Sequence, residues 1–110
     1  MSRRRASGPA LATILWRDIP AQVNATTTDT TEKALLPNRF QVAIDRAAKV
    51  AGKTELAAYV AEWRRIEQPL DGDPATVIAE RIDELDRTYT RDRLAAIVRH
   101  GGIEPSEGDA

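Results

Sequence analysis

The sequence predicts an α+β fold: a small strand pair, with a third strand left open, and three to four helices packed on one face. Three observations carry this. Two early segments, Leu11 to Arg17 and Gln22 to Thr28, have the apolar β-branched composition or the period of two that strands need. Beyond Pro37, apolar residues recur at helical spacings, with prolines and glycines where helices begin and end. The chain has 110 residues, room for one core and not two. The compact domain is placed at residues 10–102. A basic leader, 1–9, is expected to be flexible, and an acidic tail, 103–110, to be disordered.

Leu11 to Arg17 reads as a buried strand, closed by Asp18-Ile19-Pro20 because proline bars ladder pairing. In the second strand Val23, Ala25 and Thr27 alternate with polar neighbours, which gives it one wet face. Asp29 with Glu32 three residues on has the form of a capping box, so a short helical turn is expected there. Pro37 then opens a helix whose apolar face is Phe40, Ala43, Ile44, Ala47, Ala48 and Ala51, and Gly52 stops it. Thr54 caps a second helix carrying Leu56, Tyr59, Val60 and Trp63 and running to about Arg65. Ile66 to Leu70 is left open between a short third strand and a loop, with Pro69 confining any strand to an edge. Asp73 and Pro74 are the cap and first position of a helix with Val77, Ile78, Ile82, Leu85 and Tyr89 inside. Thr90 caps the last helix, which holds Leu94, Ile97 and Val98 and ends at Gly101-Gly102. The expected core centres on Trp16, Phe40, Ile44 and Trp63, with Trp16 beneath the first long helix against Phe40 or Ile44.

Composition excludes several chemistries. There are no cysteines, so disulfides, thiolate metal sites and thiol nucleophiles are out, and a single histidine rules out histidine-rich metal centres. Sixteen Lys and Arg against 17 Asp and Glu leave a net charge of −1, which argues against general electrostatic capture of nucleic acid or acidic membranes. Arg3 to Arg5 followed by Ala10 to Trp16 imitates a secretory signal, but Arg17 and Asp18 cut the apolar run short. The cytoplasm is the expected compartment, with no membrane partner.

Trp16-Arg17-Asp18-Ile19-Pro20-Ala21-Gln22-Val23 is a distinctive run, and so is Arg39-Phe40 followed by Ala43-Ile44-Asp45-Arg46-Ala47-Ala48. With Gly52, Tyr59 and Glu62-Trp63-Arg64-Arg65 in this order, the chain resembles the small bacterial virulence factor domain family over about residues 11–90. The resemblance implies a compact α/β domain without an established reaction. The family name came from effects on pathogenicity and states no chemistry. Some relatives lie beside genes of one-carbon and corrinoid methyl transfer, which implies an accessory role attached to other proteins. No catalytic residue comes with it, and the threonine-rich stretch 26–31 departs from the family pattern.

Segment 30–63 is also similar to a ribbon–helix–helix DNA-binding unit, with Ala34 to Pro37 before one helix, Gly52 at the turn and Leu56 opening the next. Glu32 on that ribbon opposes phosphate, and no arginine there points to base edges, so nucleic acid is disfavoured.

Arg17, Asp18 and Gln22, near Arg39, are the candidates for meeting a partner or a small ligand, because they stand where a strand ends. The plainer reading of Arg17 and Asp18 is an ion pair at the corner. Arg39, Asp45, Arg46 and Lys49 share a helix surface, and a solvated face is the plainer reading there too. Asp71-Gly72-Asp73 lacks the later ligands of a calcium loop. Glu80, Asp83, Glu84 and Asp86 are interleaved with arginines, which makes a salt-bridged face and not an acid–base pair. His100 sits at a helix end where the dipole favours it, and no glycine-rich phosphate loop precedes any helix. No catalytic residue, metal ligand or cofactor is assigned. The expectation is a non-catalytic accessory protein that binds another protein. The alternatives are a dimeric ribbon–helix–helix regulator and a small-ligand-binding domain or minor enzyme.

Overall fold

A computed structural model describes residues 8–105. In chain order the elements are β1 (Ala10–Trp16), β2 (Ile19–Thr26), β3 (Thr31–Leu35), α1 (Asn38–Ala51), α2 (Leu56–Val60), β4 (Trp63–Pro69), α3 (Pro74–Thr88) and α4 (Arg91–Arg99). The strands form one antiparallel sheet in the order β3-β2-β1-β4. The class is therefore α+β as expected, with four strands where a pair or three were predicted. Residues 1–7 of the leader and 106–110 of the tail lie outside the described residues.

Pairing accounts for the differences from the sequence reading. Pro20 does not end the strand region: β1 and β2 join through Arg17-Asp18 alone, and β2 already starts at Ile19. The register steps by one between Ile14–Gln22 and Leu15–Pro20, which leaves Ala21 as a bulged residue. The carbonyl of Ala21 accepts from Leu36 N–H at 2.9 Å. The helical turn expected at Asp29–Glu32 is instead a bend that leads into β3 at Thr31. Thr27 Oγ1 accepts from the Asp29 and Thr30 amides, closing a threonine turn that returns the chain antiparallel to β2.

The second helix is one turn long, and Trp63 is the first residue of β4. Two donors from the β1 end draw the chain out of helix. The Trp16 indole N–H donates to the Tyr59 carbonyl at 2.8 Å, and the Arg17 amide donates to the Glu62 carbonyl at 3.0 Å. From Trp63 onward the chain pairs along β1 as an edge strand, and Pro69 stands at its last position, where a missing donor does little harm.

The helix ends obey local chemistry. Gly52 closes α1 at φ 72°, Asp73 caps α3 by accepting from Thr76 N–H, and Thr90 caps α4 by accepting from Arg93 N–H. Pro37 is the residue before α1, one position earlier than the first helical position it was expected to hold. Leu11, Val23 and Ala25 share a sheet face in register and join Phe40, Ile44, Ala47, Ile78, Leu85 and Ile97 in one core. α1 packs on β2, α3 on β2 and β3, and α4 on α1. Trp16, Phe40 and Ile44 are fully buried, whereas Trp63 is half-buried against the core's edge. Trp16 stacks on Tyr59 with ring centroids 5.6 Å apart, and Phe40 meets Tyr89 edge-on at 6.2 Å.

Candidate functional site

The two residues at the β1–β2 tip bind the chain itself. Arg17 sits at φ 51°, a left-handed conformation that costs a non-glycine residue roughly 1–2 kcal/mol and needs support. Its side chain supplies that support, donating to Glu62 Oε1 and to the Gly101 carbonyl, both at 3.0 Å. Asp18 donates its amide to the Gly102 carbonyl at 2.8 Å. Its carboxylate accepts from Glu104 N–H at 2.6 Å and from Arg64 at 3.0 Å. The hairpin tip thus clamps the segment after α4. Arg17 and Asp18 do not pair with each other, which corrects the corner ion pair read from the sequence. The hydrogen bond from Arg17, with Lys53 also nearby, holds the Glu62 carboxyl below its usual range.

Gln22 donates to Asn24 Oδ1 at 2.7 Å along its own strand. Arg39 shares no hydrogen bond or ion pair with Arg17, Asp18 or Gln22. Its guanidinium lies over the Phe40 ring and donates to the carbonyls of Tyr89 and Asp86 and to Asp86 Oδ1, tying α1 to the end of α3. Burial pushes the Tyr89 phenol up, against the opposing pull of Arg93 over its ring. Among the described residues no hydrogen bond or ion pair joins any two of the four expected binding residues. Glu104, placed in the tail by sequence, is paired with Arg93 at 2.8 Å.

The ribbon–helix–helix arrangement is not formed either. Thr31 to Leu35 is paired with β2 of the same chain, and the helix that should come after α1 has five residues. On α3, Arg81 pairs with Glu84 and Arg87 with Asp83 within the helix, while Asp86 is taken by Arg39 of α1. His100 Nδ1 lies 3.0 Å from the Ala96 carbonyl, one turn back on its own helix.

The structure places an open groove between α1 and α4, with a volume of about 630 Å³. On α1 its lining recurs as Arg39, Val42, Ala43 and Arg46; on α4 as Arg91, Leu94, Ala95, Val98 and Arg99. Each set keeps the i, i+3, i+4, i+7 spacing of a single helical stripe. The alanines keep the floor low, the valines and leucine keep it apolar, and the arginines stand on both walls. No Asp or Glu lines it. Arg39 is held by α3, but Arg46, Arg91 and Arg99 have no hydrogen bond or ion pair among the described residues. By sequence Arg46 reads as part of a solvated face, and Arg91 and Arg99 do not stand out. The signal that could have found them is the repeated Arg-x-x-Val-Ala of α1 and Arg-x-x-Leu-Ala of α4.

Among the described residues no group of three or more His, Asp or Glu side chains is disposed to hold a metal ion, and no helix is long and apolar enough to cross a membrane. A family model described as "Virulence factor" matches residues 14–98, more than three quarters of the chain. No curated protein and no solved structure matches.

Proposed function

We propose, from the premise that this chain belongs to the virulence factor family, that it is a non-catalytic accessory domain whose α1–α4 groove docks a segment of another protein. One observation carries the reading: an apolar floor flanked by three arginines that the described part of the chain leaves unpaired. A guanidinium held for the fold alone is expected to find a carboxylate or carbonyl, as Arg17, Arg39 and Arg93 do. The hairpin tip, by contrast, is engaged with its own chain through Arg17 and Asp18. The family resemblance makes a protein of one-carbon or corrinoid methyl transfer the first partner to test.

The test uses the full chain beside Ala95→Trp, which fills the groove from an exposed position. A partner captured from native cytosol, then purified, should bind the wild type and fail to bind the variant at unchanged melting temperature. Equal binding to both would remove the groove from the reading. Turnover of a metabolite by the pure wild-type chain would overturn the non-catalytic role. The second reading, a small-ligand site, is favoured by the volume alone, which lies within the usual range for ligand pockets.

A further inference from the structure

The groove has chemistry enough to specify what it takes. Its length is set by the helices: Arg39 to Arg46 and Arg91 to Arg99 each span two turns, roughly 11–12 Å at the α-helical rise. Side chains at i, i+4 and i+7 of a third helix cover the same distance. The floor is aliphatic and carries no aromatic ring, so it offers no stacking platform for bases. The positive charges are spread along both walls and at both ends of the groove. A single-headed amphiphile would satisfy one end and leave the other arginines bare. A segment with several carboxylates spaced along it would satisfy all of them.

Resting on the docking role proposed above, we infer that the occupant is an acidic amphipathic helix. Its aliphatic side chains enter between Val42, Ala43, Ala95 and Val98, and its flanking Glu or Asp side chains meet Arg46, Arg91 and Arg99. The aliphatic contact supplies affinity, and the rim pairs fix register and reject basic partners. The groove therefore selects against helices bearing lysine flanks, although the chain as a whole carries a net charge of only −1.

The experiment is a display selection on the folded full chain. The library is helical peptides with aliphatic residues at i, i+4 and i+7 and with Glu, Gln or Lys free to vary at the flanks. Winners are measured by fluorescence anisotropy against the wild type, Ala95→Trp and the double reversal Arg46→Glu/Arg99→Glu, with melting curves to show that each variant folds. Enriched acidic flanks are expected, with binding lost in Ala95→Trp and weakened roughly tenfold or more by the double reversal. Raising salt from about 50 to about 300 mM should weaken wild-type binding. Winners with neutral or basic flanks that are still lost in Ala95→Trp would overturn the acidic occupant and leave the docking groove standing. Winners indifferent to Ala95→Trp, or no winners, would overturn both. A separate arm with dodecanoate reads the other chemistry: binding of that probe without any peptide winner would make the groove a lipid site and refute the inference.

Discussion

Glycine substitution at three left-handed positions separates backbone strain from packing, and it tests the placement of the hairpin clamp. Gly52, Gly101 and Gly102 have φ of 72°, 70° and 96°. An added Cβ at Gly52 meets nothing within 4 Å, at Gly101 it lies 3.1 Å from the Ala51 Cβ, and at Gly102 it lies 2.9 Å from Cζ3 of Trp16. That ring cannot step aside, because Trp16 is 0% exposed and its indole N–H is bound to the Tyr59 carbonyl. Left-handed strain alone costs about 1–2 kcal/mol, so Gly52→Ala should lose about that much. Gly102→Ala adds an overpacking term of about 1–3 kcal/mol, for a total of about 2–5 kcal/mol. A small domain has only about 5–15 kcal/mol to lose. With a urea dependence of about 1–3 kcal/mol per molar, the unfolding midpoint should fall by at least about 0.7 M. Urea denaturation monitored by tryptophan fluorescence reads this directly, since the affected ring is one of two tryptophans. The expected order of loss is Gly102→Ala, then Gly101→Ala, then Gly52→Ala. Equal losses at Gly52 and Gly102 would refute the contact between the segment after α4 and Trp16, and with it the clamp.

Trp16→Ala should lose about 3–5 kcal/mol and leave a chain largely unfolded at 37 °C, read by circular dichroism; a near-native melting curve would contradict the burial of that ring. Arg17→Ala should destabilise by about 1–3 kcal/mol, because the Gly101 carbonyl and Glu62 both lose a charged donor. In a double-mutant cycle its loss should overlap with that of Glu62→Gln; additive losses would argue against their bond. Glu62 has a lowered pKa in the fold, so its contribution is full above the ordinary glutamate value and is lost as pH falls through the lowered one. Acid unfolding of Glu62→Gln should accordingly be less steep than that of the wild type. Tyr89 has a raised pKa, so one phenol should ionise late in an absorbance titration, and Tyr89→Phe should remove that late step.

The fold was legible wherever a local group satisfies the backbone it belongs to. Gly52, Asp73 with Pro74, and Thr90 each mark a helix end by chemistry that needs no distant partner. The two strands missed or left open are both at sheet edges, where little side-chain burial marks them: all of Thr31 to Leu35 except Ala34 is exposed, and so is β4 beyond Trp63. Their signal is in the partner strands and not in themselves. Leu56, Tyr59, Val60 and Trp63 keep helical spacing, yet the indole of Trp16 and the amide of Arg17, more than 40 residues away, claim the carbonyls there. Tertiary hydrogen bonds override a five-residue propensity at little cost, because so short a helix has scarcely repaid its nucleation.

The site was illegible for two different reasons. The Trp-Arg-Asp-Ile-Pro run folds a tight hairpin that captures the chain after α4, so its unusual residues carry contacts of the fold itself. The groove residues look ordinary because each helix carries two stripes. Phe40, Ile44 and Ala47 face the core, while Val42 and Arg46 stand on the α1 surface, and a search for one apolar face stops at the first. Net charge misleads in the same way. The total of −1 suggests no electrostatic preference, but no Asp or Glu lines the groove, and Asp18, Glu62, Asp83, Glu84 and Glu104 are engaged in ion pairs away from it, while Asp86 takes up Arg39 alone. Positive charge stands on the walls of the groove because arginines and no carboxylates line it, in a chain that is nearly neutral by composition. The proposed partner would meet the local arrangement and not the sum, and under that proposal aliphatic side chains flanked by carboxylates are what fits it.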